Sequence, residues 1–280
     1  MDQAAKSDTP KTSDALKTIA AEAFHALTEV RQISPFSSRP DGLSINDAYR
    51  VMPLVRQMYE ARDSKAIGRK IGFTNRTIWA QYNVYAPVWG YVFDSTSFDL
   101  AQVDALSVAP FSEPRIEPEI VFGLSRAPSA QMDEIALSSC IEWVALGFEI
   151  VQSIFPGWNF AAADTVAANG VHGVLLVGPR QPFAPRSAEW HRSLSTFNVD
   201  LTCNGRLVDQ GQAANVLDGP LSALRHLVEL LAGDSINPAL AAGDIITTGT
   251  LTKAMPIGPG EVWAAKPGGI ALDEIRLRIA

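Results

Sequence analysis

The stretch Arg115-Ile-Glu-Pro-Glu-Ile-Val-Phe122 carries two glutamates at alternate positions of a segment that reads as a β-strand. Ile116, Pro118, Ile120 and Phe122 occupy one parity, and Arg115, Glu117, Glu119 and Val121 the other, so Glu117 and Glu119 share a face. In most proteins such a Glu-x-Glu pair marks the solvated side of an edge strand. A second run, Trp143 to Val151 (WVALGFEIV), sets Glu149 among neighbours that are apolar or glycine. Its carboxylate is therefore expected to be buried on at least one side. A buried carboxylate needs a cation or a proton, and like-charged neighbours aggravate that need unless a metal resolves it. Three converging carboxylates are a ligand set for a hard divalent ion, magnesium, manganese or calcium rather than zinc or copper. The four histidines, His25, His172, His191 and His226, are too far apart in sequence to suggest a histidine metal site.

Upstream of these strands the texture is helical. The opening MDQAAKSDTPKTS (residues 1–13) is polar and is expected to fray or stay disordered. From Asp14 to about Val30, Leu16, Ile19, Ala20, Phe24 and Leu27 recur at helical spacing. A second helix is expected to start at Ser44, with Asp47 three residues on in a capping-box arrangement. After Lys65 the chain turns to short apolar runs punctuated by glycine and proline, the pattern of strands and turns. Within that body, helices are expected over Met132–Cys140 and Leu221–Leu231, the latter with Asp218 as cap and Pro220 in the first turn. Asn204-Gly205 between VDLTC and RLVDQ signals a hairpin. Strands and helices do not alternate regularly and no internal repeat is evident, which disfavours a doubly wound parallel sheet. The expected fold is α+β: a helical segment over residues 1–64, then a β-rich body over 65–280 built on a large, curved, mixed sheet.

The chain has 280 residues, 47% apolar and 19% charged, enough for a sizeable core. With a formal net charge of -7 and no long basic run, it lacks the electrostatic footprint of a nucleic-acid binder. Cys140 and Cys203 are the only cysteines, which fits a reducing compartment. There is no N-terminal apolar region of the signal-peptide kind and no apolar run long enough to span a bilayer, so a cytoplasmic protein is expected. An anionic substrate would thus need a local cation. GRKIGF (residues 68–73) supplies one: Lys70 sits in a short strand between glycines that permit close approach. Near the C-terminus, Thr247, Thr248, Thr250 and Thr252 with their backbone amides offer a cradle for a small carboxylate, although strand threonines are often only structural. Dinucleotide, P-loop and serine-elbow motifs are absent from the sequence.

Taken together, GRKIGFTN, PRIEPEIVF, GFEIVQS and AADTVAANG resemble the corresponding segments of the 2-keto-4-pentenoate hydratase and 4-oxalocrotonate decarboxylase group, within the fumarylacetoacetate hydrolase superfamily. The resemblance runs from about Ala66 to the C-terminus. It implies a mixed-sheet body of the fumarylacetoacetate hydrolase type, Mg2+ or Mn2+ on Glu117, Glu119 and Glu149, and a 2-oxo acid chelated through its carboxylate and oxo oxygens. Lys70 and His172 are then the expected catalytic residues, and Arg69, Trp89, Thr250 and Thr252 the expected substrate contacts. The implied activity is hydration of a 2-hydroxydienoate or 2-oxo-enoic acid in the breakdown of aromatic compounds, by a homo-oligomer. A 2-oxo acid decarboxylase, a β-diketone hydrolase using His172 as base, and a non-catalytic homologue whose glutamates face solvent are the alternatives. Departures from the family accompany the matches. Hydratases of the group carry an aspartate just after the proline of the loop written here YAPVWG, where this chain has Val88. Gln152 and Ile154 replace an acid and an arginine, and AANGVH lacks the usual acid before asparagine and introduces His172. Trp79, Tyr82, Tyr85, Trp89 and Trp158 suggest an aromatic pocket and a less charged substrate tail.

Overall fold

A computed structural model describes residues 10–82 and 84–280, and only the backbone of Ile78, Gln81 and Tyr82. Two helices open the chain. Helix α1 (Ser13–Thr28) is capped by Thr12, whose hydroxyl accepts from the Ala15 amide, and it buries Leu16, Ile19, Ala20, Ala23, Phe24 and Leu27 along one stripe. Helix α2 (Ile45–Glu60) starts as expected at Ser44, whose hydroxyl accepts from the Asp47 amide at 3.1 Å. The Asp47 carboxylate is turned towards the Lys11 amide and Arg50. Order thus begins earlier than the polar 1–13 stretch suggests, while residues 1–9 lie outside the described residues. The helices join the β body through rings: Phe24 meets Tyr59 edge-on at 5.0 Å, and Tyr59 stacks on Phe93 at 4.1 Å.

The body holds two sheets rather than one. The larger contains β1 (Ala66–Gly72), β2 (Val88–Phe93), β3 (Ser97–Asp99), β4 (Arg115–Leu124), β5 (Ile141–Val151), β6 (His172–Val177) and β10 (Ile245–Thr247). Their order is β2-β1-β10-β4-β5-β6-β3, with the two-residue strands β7 (Gln181–Pro182) against β5 and β11 (Met255–Pro256) against β4. The pairs β1–β10 and β3–β6 are parallel and the others antiparallel, so this sheet is mixed and curls into a half-barrel. The smaller, antiparallel sheet is β13-β12-β8-β9, from β8 (Asn198–Cys203), β9 (Arg206–Gln212), β12 (Val262–Gly268) and β13 (Ile275–Arg278). Asn204 and Gly205, both with positive φ (50° and 76°), form the β8–β9 turn that the sequence signalled.

Short helices fill the connections: α3 (Trp79–Tyr82), α4 (Glu134–Ser138), α5 (Ala162–Ala167), α6 (Ser187–Ser193) and the longer α7 (Pro220–Ala232). Helix α4 is shorter than the 132–140 reading because Asp133 caps it, accepting from the Ala136 amide at 2.8 Å. Helix α7 is not capped by Asp218. Gly219 occupies that position without a side-chain bond, and Asp218 pairs with Arg76 at 2.6 Å instead. Among the described residues no helix is long and apolar enough to cross a membrane.

The faces of the large sheet differ in character. One packs on the main core. The other carries a small separate cluster, Val92, Val121, Ala145, Leu175 and Val177. Strand parity puts Glu117 and Glu119 on the same face as Val121, and Glu149 on the same face as Ala145. The glutamates therefore share this face with the apolar cluster, which continues it along the same strands.

Candidate metal centre and active-site cavity

Glu117 and Glu149 are direct cross-strand partners in the β4–β5 ladder, while Glu119 faces Gly147. That glycine is needed: a Cβ on residue 147 would stand 2.8 Å from the Leu176 carbonyl oxygen and 2.9 Å from Val121 Cγ2. One oxygen from each of the three glutamates lies within 4.8 Å of the others. Ligand oxygens 2.0–2.6 Å from one ion stand no more than about 5 Å apart, so the spacing suits a single divalent ion. Glu119 and Glu149 are fully buried and Glu117 is half-buried at the rim. Glu119 Oε1 is buried with no hydrogen bond satisfying it among the described residues, and Glu149 Oε2 has only the Lys70 ion pair at 3.3 Å, an arrangement that a bound cation would complete. The other oxygens are held by the protein. Gly249 N donates to Glu119 Oε2 at 2.8 Å, and the His172 ring meets Glu149 Oε1 through Nδ1 at 2.7 Å.

Lys70 enters from β1, two strands away from β4, and its Nζ stands 3.3 Å from Glu149 Oε2 while donating to the Gly170 carbonyl at 3.0 Å. Burial disfavours both charges of this pair, but each stabilises the other. Against its burial, Lys70 is held above the ordinary lysine range by Glu149, Glu117 and Glu119. Against its burial, Glu149 is held below the ordinary carboxylate range by Lys70 and the His172 hydrogen bond. Burial and the nearby Glu149 and Glu117 carboxylates push Glu119 well up. Burial likewise pushes Glu117 up to about 7, a rise that Glu149 reinforces and that Lys70 and Arg115 restrain. A divalent ion would take the place of the protons that burial favours on Glu117 and Glu119.

Above the carboxylates lies a cavity of about 140 Å³. It is smaller than the roughly 300–1,000 Å³ of drug-sized pockets and suits a small acid. Lys70 and Glu117 line it together with Phe73, Trp158, Phe160 and Arg115. Arg115 lies over the Trp158 ring at 4.3 Å. It shares the parity of Glu117, a signal present in the sequence that the expected contacts did not use.

The remaining expected residues divide by face. Thr250 lines the cavity. Thr252 does not reach it; its hydroxyl donates to the Lys253 carbonyl. Of the threonine-rich turn, one amide clasps Glu119 rather than a ligand, and the Thr248 hydroxyl donates to the Ile120 carbonyl. Arg69 and Trp89 are buried on the opposite face of the sheet, because Arg69 alternates with Lys70 and Trp89 with Gly90 along their strands. The Arg69 guanidinium lies 3.9 Å from the Tyr91 ring centre and 5.1 Å from that of Trp89, and it donates to the carbonyls of Gly68 and Pro238. Neither residue belongs to the cavity. His172 stands behind Glu149, its Nε2 2.9 Å from the Thr96 hydroxyl. With both ring nitrogens engaged by Glu149 and Thr96, it presents no free nitrogen to the cavity as a base for water. Thr96, in the loop after β2, had no signal in the sequence. Of the expected aromatic residues, Trp158 lines the cavity. Trp79 bonds the Phe73 carbonyl, Tyr85 is 78% exposed, and the Tyr82 side chain lies outside the described residues. Gln152 and Ile154 lie in the core away from the lining, Gln152 accepting from the Ser112 amide and donating to the Leu27 carbonyl. Val88 pairs with Gly72 across β1–β2, on the face that bears Lys70.

Residues 82–276 match the family model described as fumarylacetoacetate (FAA) hydrolase C-terminal. The chain is 28% identical to 2-hydroxyhexa-2,4-dienoate hydratase of Comamonas testosteroni over 249 residues, 88% of this chain and 91% of the relative. It is 29% identical to 2-keto-4-pentenoate hydratase of Paraburkholderia xenovorans (strain LB400), over 88% of this chain and 89% of that one. Among solved structures, 4-oxalocrotonate decarboxylase from Pseudomonas putida G7, complexed with magnesium and adipate, superposes with a TM-score of 0.87 at 25% identity. That match covers 98% of this chain and 100% of the other.

Proposed function

Since this chain belongs to the fumarylacetoacetate hydrolase family, we propose that it is a divalent-metal-dependent hydro-lyase that hydrates a 2-hydroxydienoate by way of its 2-oxo-enoic tautomer. The observation that carries this reading is the convergence of Glu117, Glu119, Glu149 and Lys70, from three different strands, on one another beside a small cavity that Lys70 and Glu117 line. Solved relatives hold magnesium, calcium or manganese, and the all-oxygen donor set here suits such a hard ion, for which this reading takes Mg2+ or Mn2+. Glu117, Glu119 and Glu149 hold the ion, which supplies an electrophile for the carboxylate and 2-oxo oxygens of the substrate.

The chain's own groups do the rest. Lys70 presents a protonated Nζ beside the ligands, suited to anchor the substrate carboxylate or to carry a proton to and from the dienol. Protonation at the far carbon of the dienol gives the enone. Water then adds across that carbon–carbon double bond, its oxygen to the carbon remote from the oxo group and its proton to the adjacent carbon. Phe73, Trp158 and Phe160 enclose the tail, and Arg115 bounds the cavity. A cytoplasmic homo-oligomer acting in aromatic-compound breakdown is part of this reading.

Decarboxylation of a 2-oxo diacid is the second reading, favoured by one specific observation. Val88 sets an apolar side chain on the Lys70 face, where the hydratases of the group carry an acid. The test is to offer purified protein with Mg2+ or Mn2+ 2-hydroxyhexa-2,4-dienoate and 4-oxalocrotonate, following loss of dienol absorbance and release of carbon dioxide. Dienol loss without carbon dioxide supports the hydratase, and carbon dioxide from the diacid alone supports the decarboxylase. Inertness towards both overturns the lyase reading.

A further inference from the structure

The turn that joins α5 to β6 bonds to both charged partners of the buried pair. Asn169, Gly170 and Val171 all have positive φ (52°, 66° and 56°), so the backbone reverses tightly and presents its groups towards the sheet. The Asn169 side chain accepts from the Tyr91 amide at 2.7 Å and donates to the Tyr91 carbonyl at 3.0 Å, which fastens the turn to β2. The Gly170 carbonyl accepts from Lys70 Nζ, and a Cβ at Gly170 would stand 2.7 Å from Lys70 Cδ. His172, the first residue of β6, reaches Glu149.

We propose that His172 is a positioning residue: it holds Glu149 by one oxygen so that only Oε2 faces the metal position and Lys70. Its Nδ1 and Glu149 Oε1 are 2.7 Å apart, the spacing of a ring N–H that donates to a carboxylate oxygen. The ring is braced from behind by the Thr96 hydroxyl at 2.9 Å, which also bonds the Phe93 backbone. Ring and carboxylate are both buried, so neither exchanges these partners for water. With Oε1 turned to His172, Oε2 is the oxygen directed to Lys70 and best placed for an ion. The third ligand is thus fixed in direction before any ion arrives. This inference rests on Glu149 being a metal ligand.

Mn2+ binding to the full-length protein, measured by titration calorimetry and by the electron paramagnetic resonance of bound Mn2+, tests it. His172→Leu, which removes the donor, is expected to weaken Mn2+ binding about 10- to 100-fold, the usual effect of losing a partner behind a ligand, and to change the resonance signal. His172→Asn, whose amide nitrogen falls near the position of Nδ1, is expected to restore affinity to within a few-fold of the parent. Thr96→Val, which loosens the ring without touching Glu149, is expected to weaken binding by a smaller factor. Melting of each variant in chelator confirms that the chain is folded. If His172→Leu does not fold, Thr96→Val decides by the same measurement, and unchanged affinity there overturns the proposal. Parental affinity in His172→Leu overturns it, as does a loss in His172→Asn equal to that in His172→Leu, since the effect would then be packing. A parent protein that binds no Mn2+ overturns the three-glutamate site itself, and this inference with it.

Discussion

Glu149 and Lys70 are each unfavourable where they stand and tolerable only together. Removing one leaves the other charged and alone among buried groups, which makes substitutions here informative. Glu149→Gln keeps the size of the side chain but withdraws the charge that balances both Lys70 and a metal. Metal affinity and turnover are expected to fall together, by tenfold or more in calorimetry and steady-state assays. Glu142→Gln is the matched control, at an exposed position of the same strand, and should alter stability by no more than about 0.5 kcal/mol and leave activity intact. Near-parental behaviour of both variants would make Glu149 a structural residue. Lys70→Met has a different expected signature. Turnover should fall by about 10²- to 10⁴-fold if Lys70 moves a proton. Mg2+ should bind more tightly, because a positive charge beside its ligands is gone. A loss of Mg2+ affinity in that variant would assign Lys70 to organising the carboxylates instead.

At the scale of elements, the site depends on positions that carry no side chain at all. β2 passes the 169–172 turn so closely that a Cβ on Gly90 would lie 2.4 Å from the Asn169 carbonyl oxygen, a backbone atom that cannot swing away. Gly90 is the cross-strand partner of Lys70, so displacing the turn displaces the acceptor for Nζ as well. Gly90→Ala is expected to lower stability by about 1–3 kcal/mol, the usual cost of overpacking, read from denaturant unfolding in the presence of chelator. Weaker Mg2+ binding should accompany it. A stable variant with parental affinity would show that the turn relaxes without consequence. Gly249 offers a parallel case: its amide holds Glu119, its φ is 94°, and a Cβ there would meet Thr74 Oγ1 at 2.0 Å.

At the scale of the molecule, the acidic centre ties folding to pH and to metal. Burial raises Glu117 to about 7 and also pushes Glu119 well above the ordinary carboxylate range. The metal-free folded protein therefore holds protons that the unfolded chain has already released at pH 5–6. That contribution to stability is complete below the unfolded carboxylate pKa and is lost as pH rises through about 7. The melting temperature in chelator is expected to fall between pH 5 and pH 8. With saturating Mg2+ that fall should disappear over the same window, because the ion keeps the native ligands deprotonated, as they already are in the unfolded chain above about pH 5–6, so the two states no longer differ in bound protons. Identical pH profiles with and without Mg2+ would sink the coupling.

The sequence by itself determined which residues could share a face. Period-two alternation put Glu117 with Glu119 and Arg115, and set Glu149 in a strand too apolar to be exposed. Glycine and proline punctuation separated the helical opening from the β body. These are local properties, carried by a few consecutive residues and their backbone geometry. Tertiary structure decided what no local pattern encodes. It put Lys70 beside Glu149 by running β10 between β1 and β4, a pairing set by register between segments far apart in the chain. It sent Arg69 and Trp89 to the far face, although Arg69 adjoins Lys70 in sequence, because successive strand residues point in opposite directions. It also moved His172 from the cavity to the back of Glu149. A histidine's role depends on the atoms its two ring nitrogens meet, and Thr96 and Glu149 come to it from separate segments that only the folded sheet brings together.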